Sequence, residues 1–249
     1  MKPICSIFFH NYYGNHKYWL DFFVKKIKIP SILYYNIVNE SIYNLEENIN
    51  EIVNLTEADT GHICKIIFRL SSNKGKDIGG KMVLLDSYQK LGMETELGLF
   101  LHDKKSIYKA NNITWANELF KIIEPDFQNK ALQLFTENIN IGIVAAYGCI
   151  VNEFNESLKL FTSNNKVILS LLQDQFKIFP NNFQYVAGTM FWFRMKPISY
   201  FLKSNSPLQI RECFEPGNII DQYTGSYTHS WERLLCWIIT MQKYKISII

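Results

Sequence analysis

The sequence predicts an α/β protein with a mostly parallel sheet flanked by helices. Short apolar runs alternate with longer amphipathic segments through the first half of the chain, which is the pattern of βαβ units. No internal repeat, low-complexity tract or Pro/Gly/Ser-rich linker divides the 249 residues. Because 47% of the residues are hydrophobic, the chain can bury one sizeable core, and we expect a single domain over residues 1–249.

In the first half, each predicted strand precedes a predicted helix. The pairs are 4–10 with 16–26, 31–38 with 42–55, and 64–70 with 77–91. Pro30 interrupts the segment before the second strand. Gly92 can end the third helix in the left-handed conformation, and a fourth strand follows at 97–101.

In the second half, the pattern becomes less regular. We predict a helical region at 113–138, a strand at 141–147, a helix near 163–176, a strand at 185–193, two further helical segments and a β-like tail at 244–249. Pro197 can open one of those helices. Ligands of open α/β sheets bind beyond the carboxyl ends of the strands, so residues that follow the predicted strands are the candidates for function.

Composition excludes several classes of protein. The formal charge is only +3 and no long block of like charge occurs, so a nucleic-acid partner has little support. The five cysteines lack a C-x-x-C pair, which favours reduced thiols in a cytoplasmic protein. No segment approaches the roughly 18–20 apolar residues that span a bilayer. Any contact with the inner face of the cell membrane is therefore peripheral. Lys25, Lys26 and Lys28 are the candidates for such a contact, and the alternative is that they form ordinary solvated surface.

The first polar cluster covers residues 73–80, between a predicted strand and a predicted helix. Its three glycines let the backbone approach a ligand, and the helix start offers free N–H groups. It is neither a Walker loop nor a G-x-G-x-x-G fingerprint. The alternative is an ordinary turn in which Asp77 is the N-cap.

The second cluster is His102, Asp103, Lys104, Lys105 and Ser106, directly after the fourth strand. The carboxylate and imidazole could hold a divalent ion, whereas the lysines could neutralise a diphosphate without metal. These options differ in metal dependence. The alternative is a solvated polar loop.

The third cluster is the apolar run 187–194. Gly188 and Thr189 permit close approach of a sugar, Phe191 or Trp192 could stack on it, and Arg194 could pair with phosphate. An aromatic strand more often belongs to the core, so this alternative is favoured for the rings.

The fourth cluster runs from Glu215 through Asp221 to a predicted helix start. There His229, Glu232 and Arg233 share one broad face, because they are three and four residues apart. The alternatives are a surface ion pair for Glu232 and Arg233 and a structural role for the histidine.

Together, in this order, the clusters resemble the rhamnan synthesis protein F family, whose members carry an N-x-G-x-D-I-G turn, a strand ending in H-x-K-K-S, a G-T-M-F-W-x-R strand and an H-x-x-E-R helix. The opening His10-Asn11-Tyr12-Tyr13 is similar as well. The resemblance implies a GT-A-like glycosyltransferase that moves a sugar from a nucleotide-sugar donor to a bacterial surface polysaccharide precursor: O-antigen, capsule or rhamnan. The leading donor is dTDP-rhamnose, and the acceptor is a glycan or lipid-linked glycan.

The resemblance also implies roles for individual residues. Residues up to about 105 would bind the nucleotide sugar and those from about 106 the acceptor. An inverting transfer needs positive charge on the diphosphate and a base at the acceptor hydroxyl. The candidates for binding the diphosphate are Lys104, Arg194 and Arg233. The rest of the donor pocket would be formed by Asn73, Gly75, Asp77, Gly79, His102, Gly188 and Thr189. The catalytic candidates are Asp221, His229 and Glu232, and Asp221 is preferred as the base over Glu215 and Glu232.

The chain departs from the family and from GT-A enzymes at several positions. Thr228-His229-Ser230-Trp231 stands where many relatives have small residues around the histidine, and Gln222-Tyr223 follows Asp221 where Gly-Thr is usual. His102-Asp103-Lys104 replaces the D-x-D metal motif. Use of Mn²⁺ or Mg²⁺, through Asp103 or His102, is therefore open. The missing motif also supports an alternative: a non-catalytic sugar-binding or scaffold protein of a polysaccharide assembly complex. A methyltransferase ranks last, since no glycine-rich turn follows the first strand.

Overall fold

The computed structural model describes residues 2–38, 60–103, 118–218 and 224–249. Its helices, numbered in chain order, are α1 (His16–Lys26), α2 (Lys76–Leu91), α3 (Pro125–Glu137), α4 (Lys166–Phe176), α5 (Met195–Leu202), α6 (Pro207–Glu212) and α7 (Tyr227–Thr240). The strands are β1 (Cys5–Asn11), β2 (Ser31–Val38), β3 (Ile63–Ser71), β4 (Leu97–His102), β5 (Ile141–Ala145), β6 (Ile150–Asn152), β7 (Phe154–Asn155), β8 (Leu160–Phe161), β9 (Gln184–Val186), β10 (Phe191–Arg194) and β11 (Lys245–Ile248). The predicted helix at 42–55 lies outside the described residues.

The described strands form a central seven-stranded sheet in the order β11-β5-β10-β4-β1-β2-β3. Strand β1 pairs in parallel with both β2 and β4, and β3 continues the parallel array beyond β2. Strand β10 is antiparallel to both of its neighbours. The predicted α/β class with a mostly parallel sheet is therefore confirmed.

Strands β1 and β2 are buried along their whole length, which explains their nearly continuous apolar sequences. Their rings continue across the sheet: Phe8 stacks on Tyr34 and Phe193, and Phe193 stacks on Phe100 with centroids 4.4 Å apart. The side chain of Trp192 is fully buried and its Nε1 donates to the Ile122 carbonyl at 2.8 Å. The rings of the third cluster therefore belong to the core, as the alternative reading held.

The structure corrects three predictions for the second half of the chain. The predicted strand at 185–193 is two strands, β9 and β10, because Gly188 and Thr189 adopt positive φ angles of 83° and 49° and turn the chain between them. The described part of the predicted helix at 113–138 breaks before Pro125, which begins α3. Between β10 and the tail strand, the described residues form three helices instead of two.

The sheet topology decides where a ligand can bind. The chain runs from β1 to β2 and β3 on one side and then crosses to β4 on the other side of β1, so the strand order reverses at β1. Such a reversal opens a crevice at the carboxyl ends of β1 and β4. We call this rim the carboxyl edge. Because β10 is antiparallel, its first residue Phe191 lies beside Phe100 near this edge, whereas Arg194 pairs with Leu97 at the opposite one.

In the part of the chain that the structure describes, no helix is long and apolar enough to cross a membrane.

Candidate functional site

The loop after β1 is fixed at the carboxyl edge by Asp103, which follows β4. The two carboxylate oxygens of Asp103 accept the backbone N–H groups of Tyr12 at 2.8 Å and Tyr13 at 2.6 Å. The backbone N–H of Asp103 in turn donates to the His10 carbonyl at 3.0 Å. Asp103 therefore holds the crevice loop in place, a structural use of one of the two predicted metal ligands.

The turn before α2 brings the first polar cluster to the same edge. The N-cap of α2 is Gly75 and not Asp77, so the alternative that made Asp77 the N-cap is wrong. A Cβ on Gly75 would lie 2.2 Å from the Phe214 ring, and one on Gly79 would lie 1.8 Å from the Lys74 carbonyl oxygen. Both glycines are required by this tight turn, which supports the Asp77 side chain one residue into the helix.

Asp77 forms the centre of an ionic cluster with Lys81 and His102. Its Oδ2 lies 2.6 Å from Lys81 Nζ and 3.5 Å from His102 Nδ1. Lys81 is fully buried, whereas the Asp77 side chain is 23% exposed. Burial alone would raise the pKa of Asp77, but Lys81 and His102 outweigh it and hold that pKa well below its ordinary value. The result is an ionised carboxylate that is held at the carboxyl edge by Lys81 and is partly exposed.

His10 closes the base of this cluster. Its Nδ1 lies 3.0 Å from Asn36 Nδ2, and its ring packs over Gly80, where a Cβ would be 1.9 Å from Nδ1. Burial lowers the pKa of His10 to about 4; nearby Asp77 opposes this shift and Lys81 adds to it. His10 is thus a neutral imidazole at neutral pH, buried beneath α2.

A chain of amides connects the turn before α2 with the crevice loop. Asn73 Nδ2 donates to Asn218 Oδ1 at 3.2 Å, and Asn218 Nδ2 donates to the Tyr12 hydroxyl at 3.1 Å. Asn73 is only 8% exposed, and its Oδ1 has no hydrogen-bond partner among the described residues. The predicted donor residue Asn73 therefore lies beside the crevice loop with a buried acceptor atom that no described residue bonds.

Arg211 of α6 supplies a cation near this cluster. Its Nη2 donates to the Ser72 carbonyl at 2.8 Å and to the Ser72 hydroxyl at 3.1 Å, and burial lowers its pKa. A Cβ on Gly79 would lie 3.5 Å from Arg211 Nε. Within the described ranges, Arg211 forms no ion pair with a carboxylate.

Glu215 joins the start of α7 to the turn before α2. Its carboxylate accepts the backbone N–H groups of Tyr227 at 2.6 Å and Thr228 at 3.1 Å, and its carbonyl accepts Gly75 N–H at 2.9 Å. Burial favours a higher pKa for Glu215, but these N–H groups and the Thr228 hydroxyl hold the pKa below its ordinary value. This arrangement, the Glu215 clamp, caps the helix that carries His229.

Glu232 and Arg233 lie deeper in α7. Glu232 Oε1 accepts Gly188 N–H at 2.7 Å and lies 3.4 Å from the Thr189 hydroxyl, so the three residues lie together. Glu232 Oε2 pairs with Arg233 Nη1 at 2.7 Å, and Arg233 Nε donates to Glu153 at 2.9 Å. Two carboxylates therefore neutralise Arg233, which is 8% exposed.

His229 occupies the first turn of α7, where its Nδ1 lies 2.7 Å from the Ser226 hydroxyl. It is half-buried. Burial lowers the pKa of Lys81, and the charge of Glu232 on this helix is one of those that oppose the shift.

Arg194, another of the predicted residues, does not join this group. Arg194 lies at the opposite edge of the sheet, where its guanidinium donates to the carbonyls of Ile141 at 2.8 Å and Phe135 at 2.5 Å. Lys104 and Asp221 fall outside the described residues. In the described ranges, no three His, Cys, Asp or Glu side chains are arranged to hold a metal ion.

Sequence reasoning missed Lys81 and Arg211. The i,i+4 spacing of Asp77 and Lys81 on a predicted helix was a usable signal for an ion pair. Arg211 had none, because its role depends on a contact with Ser72, 139 positions away.

Comparison with known proteins places these features in a family. No curated protein matches the chain. The family model of rhamnan synthesis protein F, however, matches residues 2–244, nearly the whole sequence. The family description implies a role in the synthesis of rhamnan, a polysaccharide. The chain therefore belongs to the rhamnan synthesis protein F family.

Proposed function

We propose that the protein is a glycosyltransferase with a GT-A-like fold, which transfers a sugar from a nucleotide-sugar donor to a surface polysaccharide precursor. Family membership supports a role in polysaccharide synthesis. The observation that carries the proposal is the ionised Asp77, pinned by buried Lys81 and placed beside His102 at the edge where open α/β sheets bind ligands.

The proposed reaction sets requirements for the site. A bond forms between the acceptor oxygen and the anomeric carbon, while the bond from that carbon to the diphosphate oxygen breaks and its electron pair leaves with the nucleoside diphosphate. The acceptor proton passes to a base. The site must therefore hold sugar hydroxyls, stabilise the charge that develops on the diphosphate, and present a proton acceptor.

Asp77 fits the first requirement. Lys81 engages its Oδ2, and no hydrogen bond to its Oδ1 from another described residue occurs. The carboxylate is ionised at neutral pH and partly open to the crevice, so Oδ1 can accept a hydroxyl of the sugar or ribose. Asn73 Oδ1 offers a second acceptor.

For the diphosphate, Arg211 is the described cation that suits the role, because no carboxylate among the described residues neutralises it and it lies against the turn before α2. Lys104 stays a prediction. Arg194 and Arg233 are less suitable: the first lies at the far edge of the sheet, and the second is neutralised by Glu153 and Glu232.

For the base, Asp221 stays the preferred candidate. Both oxygens of Glu232 are engaged by Gly188 and Arg233, and those of Glu215 cap α7. Metal use also stays open. Both oxygens of Asp103 accept backbone N–H groups, so this carboxylate is poorly placed for Mn²⁺ or Mg²⁺, and no step here depends on a metal.

Asp77→Ala and Asp86→Ala form a matched pair for testing the proposal. Asp86 lies on the same helix and pairs with Lys90 at the same i,i+4 spacing, at 2.9 Å, but toward the other end of α2. Donor binding and turnover are measured for a panel of nucleotide sugars that includes dTDP-rhamnose, with and without Mn²⁺ or Mg²⁺. We expect saturable use of one donor by wild type and Asp86→Ala, and loss of use by folded Asp77→Ala. Binding without turnover would favour the non-catalytic sugar-binding alternative; equal activity of both variants would contradict the site.

A peripheral membrane contact stays a separate proposal for lipid-linked acceptors. Lys25 and Lys28 are exposed, while Lys26 pairs with Glu124 at 2.8 Å. Replacing all three lysines should weaken binding to anionic vesicles, and unchanged binding would refute the contact.

A further inference from the structure

A cavity of about 720 Å³ lies beside the carboxyl ends of β5 and β11. Both strands run parallel to β4, because β5 and β4 are each antiparallel to β10, and β11 is parallel to β5. Tyr147 and Gly148, which follow β5, and Ile249, which follows β11, line this cavity. It therefore lies at the carboxyl edge, two strand spacings or about 10 Å along the sheet from β4. We call it the β5 pocket.

The fold fixes the walls of the β5 pocket. Tyr147 N–H donates to the Ile249 carbonyl at 3.0 Å, which ties the end of β5 to the end of β11. The start of α3, which supplies further lining residues, is held by Gln128, whose Nε2 donates to the carbonyls of Ile123 at 2.6 Å and Lys26 at 2.8 Å. Ligand pockets are usually preformed and have volumes of about 300–1,000 Å³, so the size and construction of this cavity suit a ligand.

The lining combines aromatic surface with charges of both signs. Phe127 is buried, whereas Tyr147 is 74% exposed. The charged residues of the lining are Glu118, Lys121, Glu124, Asp126 and Lys130. Glu118 pairs with Lys121 at 2.6 Å, and Glu124 pairs with Lys26 at 2.8 Å. Asp126 and Lys130, one turn apart on α3, form no ion pair with any described residue.

These charges decide which class of ligand the pocket suits. The lining holds three carboxylates and two ammonium groups, and Lys26 offsets the third carboxylate, so there is no excess of positive charge for a diphosphate. A sugar is neutral: its hydroxyls donate to a carboxylate and accept from an ammonium group, and its C–H face packs on an aromatic ring. Asp126, Lys130 and Tyr147 offer these three contacts.

We propose that the β5 pocket binds sugar units of the growing polysaccharide away from the bond that forms, and so holds the acceptor chain along the carboxyl edge. The role rests on the proposed glycosyl transfer, whereas glycan binding itself can be measured without it. The Asp77 cluster includes His102 at the end of β4, and the pocket lies at the end of β5, so a chain of several sugar units can reach from one to the other.

Glycan binding is tested by calorimetric titration with oligosaccharides of rhamnose, glucose and galactose, from monosaccharide to hexasaccharide. Tyr147→Ala and Tyr200→Ala form a matched pair, because these tyrosines are 74% and 69% exposed and Tyr200 lies on α5, outside the pocket. Asp126→Asn and Asp174→Asn form a second pair at exposed acids.

We expect one series to bind wild type more tightly as the chain lengthens. Tyr147→Ala and Asp126→Asn should each weaken hexasaccharide binding about 10-fold, and the two control variants should bind as wild type does. Binding of no series, or equal affinity of each variant and its control, would overturn the assignment.

The role is tested by acceptor kinetics with the series that binds. Because the pocket lies away from the bond that forms, we expect Tyr147→Ala to raise KM for the hexasaccharide acceptor about 10-fold with little change in kcat. An unchanged KM in a variant that has lost glycan binding would overturn the role. If wild type uses no donor, the proposed function fails, and the titrations alone decide whether the pocket binds glycan.

Discussion

In the Asp77–Lys81 pair, replacing Asp77 should destabilise the protein more than replacing Lys81. Lys81 is fully buried, whereas Asp77 is 23% exposed and also lies near His102. Asp77→Asn leaves a buried ammonium without its carboxylate, a change that typically costs about 3–5 kcal/mol. A lysine with an ordinary pKa of about 10.4 can escape by losing its proton, which at neutral pH costs about 4–5 kcal/mol and limits the loss.

Lys81→Met should cost less, about 1–3 kcal/mol, because the open side of Asp77 can bind water and the methionine fills the space of the lysine stem. The double variant should lose less stability than the sum of the two single losses, by about 0.5–3 kcal/mol of coupling. Urea unfolding, followed by the fluorescence of the five tryptophans, measures each free energy of unfolding.

The pH dependence gives a second signature of the same pair. Burial already lowers the pKa of Lys81 in the wild-type protein, and losing Asp77 lowers it further. In Asp77→Asn, the unfolded chain binds more protons than the folded one between the lowered pKa of buried Lys81 and the ordinary lysine pKa, so stability rises with pH over that range. A loss no larger than that of Lys81→Met, or a loss that does not shrink at alkaline pH, would refute this reasoning.

Three further predictions follow from the site. Because burial lowers the pKa of His10 from 6.5 to about 4, the unfolded chain binds more protons than the folded one between these pH values. Wild type should therefore lose about 3 kcal/mol of stability as the pH falls from 6.5 to 4, and His10→Gln should not. Urea unfolding at a series of pH values measures both. Gly80→Ala would place a Cβ 1.9 Å from His10 Nδ1, so it should lower the free energy of unfolding by about 1–3 kcal/mol and weaken donor binding. An unchanged melting temperature would mean that His10 moves freely and would contradict the close packing. Arg194→Gln should lose about 1–3 kcal/mol through its freed carbonyls without changing donor affinity; weaker donor binding in the folded variant would contradict its placement at the far edge.

The strands and helices of the first half of the chain could be predicted because the hydrophobic pattern of each segment agrees with its burial in the fold. The predicted limits of α1 and β2 match the structure, since buried parallel strands have continuous apolar sequences and Pro30 marks the start of β2. The region around Gly188 could not be divided correctly. Its apolar run continues through a turn whose positive φ angle at Thr189 is stabilised by distant Glu232.

The site was predictable in composition but not in the partners of its residues. The motifs located Asn73, Asp77 and His102 near one another, as the structure shows. The antiparallel direction of β10 removed Arg194 from the group, and no local pattern reveals strand direction. Likewise, the second carboxylate bound to Arg233 comes from Glu153, 80 positions earlier.

The Glu215 clamp has a consequence for how this family can diversify. By bonding to Tyr227 and Thr228, Glu215 fixes both ends of the intervening chain, which includes Asp221. Doubling the number of residues between two fixed anchors costs only about 0.6 kcal/mol of loop-closure free energy, so insertions between these anchors should leave the helix of His229 undisturbed. Evolution, or a protein engineer, could therefore lengthen this segment without disturbing the start of α7.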